Sequence, residues 1–159
     1  MAPLKIRKAD MRDAIPVAGF CRKMARESEG RDLDPDTVLR GVKAVMKDPH
    51  KGFYLVAEKD GAMIGQLLVT KEWSDWNNGY YWWIQSVYVP PEQRAQGVFT
   101  RLYRFLRESA GFERGVAGLR LYVMGDNDTA KAAYESLGMV RTEYQIYEAA
   151  PRPEADPEF

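Results

Sequence analysis

The segment from Val87 to Leu102 holds the residue types best suited to binding an anion. A predicted strand ends at Pro90-Pro91, a short loop with Arg94 follows, and a helix is predicted to begin near Gly97. The first N–H groups of a helix have no helical carbonyl to bond, and the helix dipole adds partial positive charge there. Glycine lets an anion approach the backbone closely. The segment predicts phosphate binding, and an ordinary strand-to-helix turn with an exposed arginine explains the local sequence equally well.

The composition excludes several other kinds of chemistry. Among 159 residues there is one cysteine, Cys21, and one histidine, His50, which excludes an internal disulfide and multi-cysteine or histidine-rich metal centres. Lys plus Arg and Asp plus Glu both total 23, so no net positive charge attracts nucleic acid or an anionic membrane. No apolar stretch approaches the roughly 20 residues of a membrane helix. We therefore expect a cytoplasmic protein with no metal, and with no nucleic-acid or membrane partner.

Hydrophobic periodicity predicts the elements that position this segment. Leu4 to Arg7 alternates as a short strand does. Two helices follow, one with Asp13 as its cap and one that begins at Asp34-Pro35. Asp60-Gly61 and Asn77-Asn78-Gly79 then mark reversals of the chain. They separate three predicted antiparallel strands, which are Phe53–Ala57, Met63–Val69 and Tyr80–Val89.

The second half of the chain alternates between helices and strands. One helix is predicted from near Gly97 to a stop before Gly111, and Gly138 is predicted to end the next helix. The other predicted elements are a strand Leu119–Met124, a helix Thr129–Leu137 and a strand Val140–Glu148.

This order predicts a mixed α/β fold in a single domain over residues 1–148. We expect a twisted, mostly antiparallel sheet of about six to seven strands, flanked by about four helices. Residues 149–159 contain three prolines and three acids and are expected to form a loose tail.

Two motifs within this order resemble those of the GNAT superfamily of N-acetyltransferases. Arg94-Ala95-Gln96-Gly97-Val98-Phe99 resembles the family's Gln/Arg-x-x-Gly-x-Gly/Ala loop. The segment from Asn127 through Tyr134 to Met139 resembles its Asn-x-x-Ala-x-x-x-Tyr-Glu-x-x-Gly-Phe element. The order of elements is similar from Leu4 to Glu148. Phe99 departs from the family's glycine or alanine, and we expect its ring to point away from the cofactor.

The resemblance implies that acetyl-coenzyme A binds in a V-shaped opening between the fourth and fifth strands. Loop amides would hold the pyrophosphate, and the end of the fourth strand would bond the pantetheine as an added strand does. Asn127 would steady the pantetheine arm, and Tyr134 would reach the sulfur and protonate the departing thiolate. The implied cofactor-binding residues are Val87, Tyr88, Val89, Arg94, Ala95, Gln96, Gly97, Val98, Phe99, Thr100, Asn127 and Tyr134.

The general base is a separate question, because the fourth strand contains no carboxylate where many relatives place one. Gln85 and Ser86 stand in that neighbourhood. Glu72, near the end of the third strand, is the best local carboxylate and is expected to act through water, or else to be a solvated charge at a strand end. With Tyr134 it completes the predicted catalytic pair.

The implied activity is transfer of an acetyl group to a primary amine by direct attack in a ternary complex. No activated Cys or Ser–His pair is visible that would support a covalent enzyme intermediate. The alternative is a non-catalytic acyl-coenzyme A sensor or interaction module on the same fold.

The acceptor is expected to be a small-molecule or peptide amine, and a homodimer stays open. Aromatic side chains of the third and fourth strands stack the acceptor, or form core and a dimer surface. Acids between the first two helices rim the acceptor entrance, or are solvated; they are Glu27, Glu29, Asp32, Asp34 and Asp36.

Overall fold

Five strands and four α-helices form within residues 3–152, the part of the chain that the computed structural model describes. In chain order they are β1 (Lys5–Lys8), α1 (Ala14–Glu29), α2 (Pro35–Lys47), β2 (Gly52–Lys59), β3 (Ala62–Ser74), β4 (Gly79–Tyr88), α3 (Val98–Phe112), β5 (Val116–Leu121) and α4 (Asp128–Ser136).

The strands form one mixed sheet in the order β1-β2-β3-β4-β5. The first three pairings are antiparallel, and β4 pairs with β5 in parallel. The mixed α/β class and the four helices are confirmed, but the expected six to seven strands are wrong. Val140–Glu148 forms no strand in the described structure. Its alternating pattern is a local property, whereas a strand persists only where a neighbouring strand pairs with it.

Local backbone chemistry fixes several of the predicted boundaries. Asp60 and Gly61 have φ of 53° and 74°, the left-handed values that a tight hairpin turn requires. The Asp34 carboxylate accepts a hydrogen bond of 2.8 Å from the Thr37 N–H and so caps α2. Asp13 does precede α1 but does not cap it, because its carboxylate bonds Arg7 at 2.8 Å and the Asp10 N–H at 2.9 Å.

Two predicted boundaries in the second half are wrong. α3 continues through Gly111 to Phe112, since an isolated glycine costs a helix only about 1 kcal/mol relative to alanine. β5 begins at Val116 and ends at Leu121, three residues before the predicted Leu119–Met124. Its position is set by pairing with β4, in which Tyr80 lies opposite Val116, and not by its own apolar residues.

The helices cover both faces of the sheet. α1 and α2 pack on one face around a core formed by Ala14, Val17, Ala18, Cys21, Val42, Tyr54, Val56 and Leu68. Gly65, whose parity in β3 is opposite to that of Leu68, lies beside Val98 and Leu102 of α3. Since side chains alternate between faces along a strand, α3 covers the other face. None of the helices within residues 3–152 is long and apolar enough to span a membrane.

The chain forms two compact units, each held together by contacts among its own residues. The first ends at Tyr122 and the second starts at Val123. In the second unit, the Asn127 side chain caps α4 and Gly138, with φ of 89°, follows its end. The boundaries predicted for the domain, residues 1–148, and for the tail stay predictions, and residues 153–159 lie outside the described residues.

Candidate active site

β4 extends beyond its pairing with β5. The parallel pairing runs from Tyr80 to Ile84, which lies opposite the last residue of β5, Leu121. β4 itself continues to Tyr88, so its final residues present a backbone edge that β5 does not cover. An extended ligand can add to such an edge as a further strand. The predicted pantetheine-binding residues lie on this edge or directly follow it; they are Val87, Tyr88 and Val89.

A β-bulge interrupts β4 at this point. Gln66 of β3 pairs with Tyr88 and Leu68 pairs with Gln85, so two residues of β4, Ser86 and Val87, lie opposite one residue of β3. Ser86 has φ of 49°, which few residues other than glycine adopt. A bulge turns the local peptide groups away from the regular ladder. Nothing in the sequence near Ser86 predicted this irregularity.

The bulge contacts a buried polar side chain that the sequence analysis missed. Gln66 is 0% exposed, and its Nε2 donates to the Ser86 carbonyl at 3.2 Å and to Cys21 Sγ at 3.5 Å. A glutamine within the apolar run from Ile64 to Val69 was the available signal. Cys21 is buried, and this burial raises the pKa of its thiol.

The segment after β4 forms the predicted loop and helix start. A 3-10 turn over Pro91–Gln93 leads to Ala95, whose φ is 60°, and to Gly97, whose φ is 77° and which is the N-cap of α3. The first helical bond joins the Arg101 N–H to the Gly97 carbonyl at 3.0 Å, and no side chain caps this helix end. The N–H groups of the first turn therefore point out of the N-terminal end of α3, and no side chain caps them. Anion binding requires this arrangement.

The Phe99 ring packs along α3. It is half-buried and lies 6.2 Å, centroid to centroid, from the ring of Tyr103, one turn further along the helix. The orientation of this ring relative to a bound diphosphate stays a prediction. Val98 is buried, and Thr100 lies half-buried in the same first turn.

The Arg94 side chain contacts α1. Its Nη2 lies 2.6 Å from Glu27 Oε2, and its Nε donates to the Val89 carbonyl at 2.8 Å. The Tyr88 hydroxyl donates to the other Glu27 oxygen at 3.1 Å. Arg94 lowers the pKa of Glu27 below its ordinary value. Glu27, predicted at the rim of the acceptor entrance, thus joins α1 to the end of β4 and to the loop.

We expect Gly97→Ala to weaken coenzyme A binding about tenfold, which corresponds to about 1.4 kcal/mol. The added methyl group meets no atom within 4 Å, so it would occupy open space at the N-terminus of α3. The positive φ also strains alanine by about 1 kcal/mol. Calorimetric titration gives the Kd, and thermal unfolding gives the stability.

Gly30→Ala is the matched control for Gly97→Ala. Gly30 has φ of 63° at the end of α1 and also has no atom within 4 Å of an added methyl group. We expect the same loss of stability with an unchanged Kd. Equal Kd changes in the two variants would show that the N-terminus of α3 does not bind the diphosphate.

Glu72 lies in a polar and aromatic cluster on the face of the sheet that α1 and α2 partly cover. Its Oε2 accepts a hydrogen bond of 3.1 Å from Arg120, whose guanidinium stacks 3.5 Å from the Tyr81 ring centroid. The rings of Trp83 and Tyr122 lie 4.5 Å apart. Glu72 pairs with Tyr81, five residues before Ser86 in β4, which is about 16 Å along a strand. A proton relay from the bulge to Glu72 therefore needs more than one water molecule.

Two aromatic residues of β4 with the same parity, Tyr80 and Trp82, differ in burial along the strand. Trp82 is buried, and Phe53 packs against it edge-on at 5.2 Å. Trp73 and Tyr80 form an exposed pair with ring centroids 4.9 Å apart. The aromatic set thus contributes to the core through Trp82 and to the surface through the exposed pair.

Tyr134 and Asn127 belong to the second unit. Burial raises the pKa of the Tyr134 hydroxyl above its ordinary value, so the hydroxyl keeps its proton at neutral pH. The Asn127 Oδ1 accepts a hydrogen bond of 3.1 Å from the Ala130 N–H, a capping role that the sequence analysis did not assign. Their contacts with coenzyme A stay predictions. Within residues 3–152, no group of three or more His, Cys, Asp or Glu side chains is arranged to hold a metal ion.

Comparison with known proteins gives a consistent result. The model of the Acetyltransferase (GNAT) family matches residues 18–139. A possible acetyltransferase from Clostridium difficile 630 is 41% identical, with a TM-score of 0.88, over 94% of this chain and 99% of that one. No protein with a curated description matches the chain.

Two structures of lower identity share the fold. A ribosomal-protein-alanine N-acetyltransferase from Brucella melitensis biovar Abortus 2308 is 17% identical, with a TM-score of 0.75, over 94% of this chain and 100% of that one. A predicted acetyltransferase with acetyl-CoA from Clostridium acetobutylicum is 19% identical, with a TM-score of 0.75, over 92% and 96%.

Proposed function

Because this chain belongs to the acetyltransferase (GNAT) family, we propose that it transfers the acetyl group of acetyl-coenzyme A to a primary amine. One observation carries the proposal. The uncovered edge of β4 leads directly, through the loop at Arg94, to the uncapped N-terminus of α3. This continuous backbone surface suits a ligand with an amide-containing arm joined to a diphosphate.

The residues present fit acetyl-coenzyme A. The loop amides from Arg94 to Thr100 bind the diphosphate, and the absence of a side chain at Gly97 leaves room for it. The β4 backbone from Val87 to Val89 bonds the pantetheine amides. Acetyl-coenzyme A supplies an activated thioester when bound. Asn127 steadies its pantetheine arm.

The chain's own groups then serve direct attack by the amine. Negative charge develops on the carbonyl oxygen during attack, and a backbone N–H at the end of β4 stabilises it. The departing thiol would have an ordinary pKa of about 8.5, so a proton donor held by the chain would be useful near neutrality. Tyr134 donates this proton, because its raised pKa keeps the hydroxyl protonated there.

The proposal is tested in two steps. Calorimetric titration with coenzyme A measures binding, and thiol release from acetyl-coenzyme A across a panel of amines measures transfer. Amine-dependent release supports the enzyme. Binding without release for any amine supports the alternative, a non-catalytic acyl-coenzyme A sensor. A panel of acyl donors in the same assay tests whether acetyl is the preferred group.

We expect Glu72→Gln to lower kcat/KM at least about tenfold, because Glu72 is the proposed acceptor of the amine proton through water. Glu58→Gln is the matched control, since Glu58 is also a strand carboxylate paired with an arginine, Arg7, at 2.8 Å. A kcat/KM that Glu72→Gln leaves unchanged across pH would remove Glu72 from the mechanism and leave it as a partner of Arg120.

The remaining parts of the proposal concern partners. The acceptor is a small-molecule or peptide amine, received beside the cluster of Glu72, Tyr81 and Trp83. A cytoplasmic location and a homodimer are further expectations. Cell fractionation tests the location, and light scattering of the purified protein tests the dimer.

A further inference from the structure

We propose that Gln66 is a positioning residue for the acyl-transfer step. Its side-chain amide holds the Ser86 carbonyl and thereby aims the Val87 N–H into the opening at the end of β4. The inference rests on the proposed function for its catalytic consequence, while its structural part stands on the described contacts.

Stability alone does not account for a glutamine at this position. Gln66 is 0% exposed and lies in the core beneath α1, where its Nε2 reaches Cys21 Sγ. Within the described residues no hydrogen-bond partner satisfies its Oε1. A buried amide oxygen without a partner costs about 1–3 kcal/mol. An apolar side chain of similar shape would avoid this cost, so the amide has another use.

The partner of the Gln66 amide is the carbonyl that the bulge frees. Ser86 and Val87 together face a single β3 residue, Leu67, so the regular ladder cannot bond both of their peptide groups. The Ser86 carbonyl instead accepts from Gln66 Nε2 at 3.2 Å. Ser86 holds a φ of 49° in this arrangement, a strained value for a residue with a side chain. The Gln66 bond offsets that strain.

The direction of the Val87 N–H follows from peptide geometry. The Ser86–Val87 peptide bond is trans, and in a trans peptide the C=O and N–H point in opposite directions. Since the Ser86 carbonyl accepts from the Gln66 side chain, the Val87 N–H points away from that side chain. At this point of β4 the edge beyond Ile84 is not covered by β5, so the N–H can face it.

A fixed N–H on this edge is useful for acyl transfer. A donor stabilises a developing oxyanion best when it already points at the oxygen, because no reorientation is then needed. Loss of one such donor costs about 10²–10³ in kcat. Loss of the group that orients the donor should cost less, since the N–H remains. We therefore expect an effect of about 10- to 100-fold for removal of the Gln66 amide.

Gln66→Leu tests the proposal. We expect kcat to fall about 10- to 100-fold, with the Kd for coenzyme A unchanged and Tm changed little, because loss of the Ser86 contact and removal of the unpartnered Oε1 oppose each other. Cys21→Ala is the control, because it removes the other Nε2 contact and leaves the Ser86 contact in place; it should keep kcat. A Gln66→Leu variant that keeps kcat, or that loses Tm and coenzyme A affinity together with kcat, would overturn the proposal.

Gln66→Glu adds a pH readout that a space-filling role would not give. A carboxyl group donates to the Ser86 carbonyl only when it is protonated. Relative to the wild type, we therefore expect the variant to be most active at low pH and to lose activity as pH rises. A constant ratio of variant to wild-type activity across pH would contradict the positioning role.

A ligand-free measurement separates this inference from the proposed function. The amide resonance of Val87 in an NMR spectrum reports the orientation and bonding of that N–H. We expect Gln66→Leu to shift it while Cys21→Ala does not. If the wild type fails to transfer acetyl groups but the shift occurs, the proposed function fails and the positioning stands. If the resonance is unmoved, the positioning fails whatever the activity.

Discussion

Tyr134→Phe should lower kcat by about 10²–10⁴ and leave the Kd for coenzyme A almost unchanged. The substitution removes only the hydroxyl, so the ring stays on α4. Without the hydroxyl the thiolate must leave unprotonated, or take its proton from water. Steady-state thiol release gives kcat, and calorimetry gives the Kd. An unchanged kcat would remove Tyr134 from the acid role.

The pH profile of the wild type checks the same role. A proton donor works only while it is protonated, and burial raises the pKa of Tyr134 above the ordinary value of about 10. Loss of kcat by ionisation of this group should therefore begin only above that pH. Tyr147→Phe is the control variant in the second unit, since Tyr147 is 92% exposed, and it should leave kcat unchanged.

Gly65→Ala should destabilise the protein by about 1–3 kcal/mol and weaken coenzyme A binding as well. A methyl group at Gly65 would lie 2.7 Å from Val98 Cγ1, with Leu102 Cδ1 at 3.5 Å and Ala57 Cβ at 3.6 Å. Valine has no flexible end that can swing aside, so the start of α3 must move from the sheet. That start is the proposed diphosphate site. Urea unfolding and calorimetric titration measure the two effects.

Two further variants make this test specific. Gly41→Ala adds a methyl group within α2, where no atom lies within 4 Å, and should stabilise the protein by about 0.5–1 kcal/mol. Val98→Ala combined with Gly65→Ala removes the clashing carbon and should restore part of the coenzyme A affinity. An unchanged stability in Gly65→Ala would mean that α3 is free to shift at no cost.

The sequence predicts well those turns and helix starts that are decided by the backbone preferences of their own residues. Asp60-Gly61 requires two positive φ values, and Asp34-Pro35 combines a capping side chain with a fixed φ. Both were predicted correctly, because no distant residue decides them. Gly97 is a third example: it opens α3 where the loop needs a positive φ.

The errors fall where a distant partner decides the outcome. β5 takes its boundaries from pairing with β4, although its own apolar residues continue to Met124. Val140–Glu148 has the alternation of a strand without forming one. The fold class was therefore predictable from the order of elements, whereas the strand count was not.

The same division applies to the candidate site. The loop from Arg94 to Phe99 is contiguous, so its motif could be recognised in the sequence. The Gln66 contact with Ser86 spans 20 residues, and the Glu27 contact with Arg94 spans 67. No local pattern encodes such pairings. For the contact between Gln66 and Ser86, the only indication in the sequence is a polar residue within an apolar strand.

The shared carboxylate of Glu27 has a mechanical consequence. It bonds Arg94 and Tyr88 at the same time, so this one side chain links the last turn of α1 to the segment that precedes α3. A ligand that displaces the Arg94 guanidinium would therefore also displace α1 and the residues that lead into α2. If the proposed sites are right, nucleotide binding at the loop and the shape of the amine entrance are coupled through this one carboxylate, without a hinge or a moving lid.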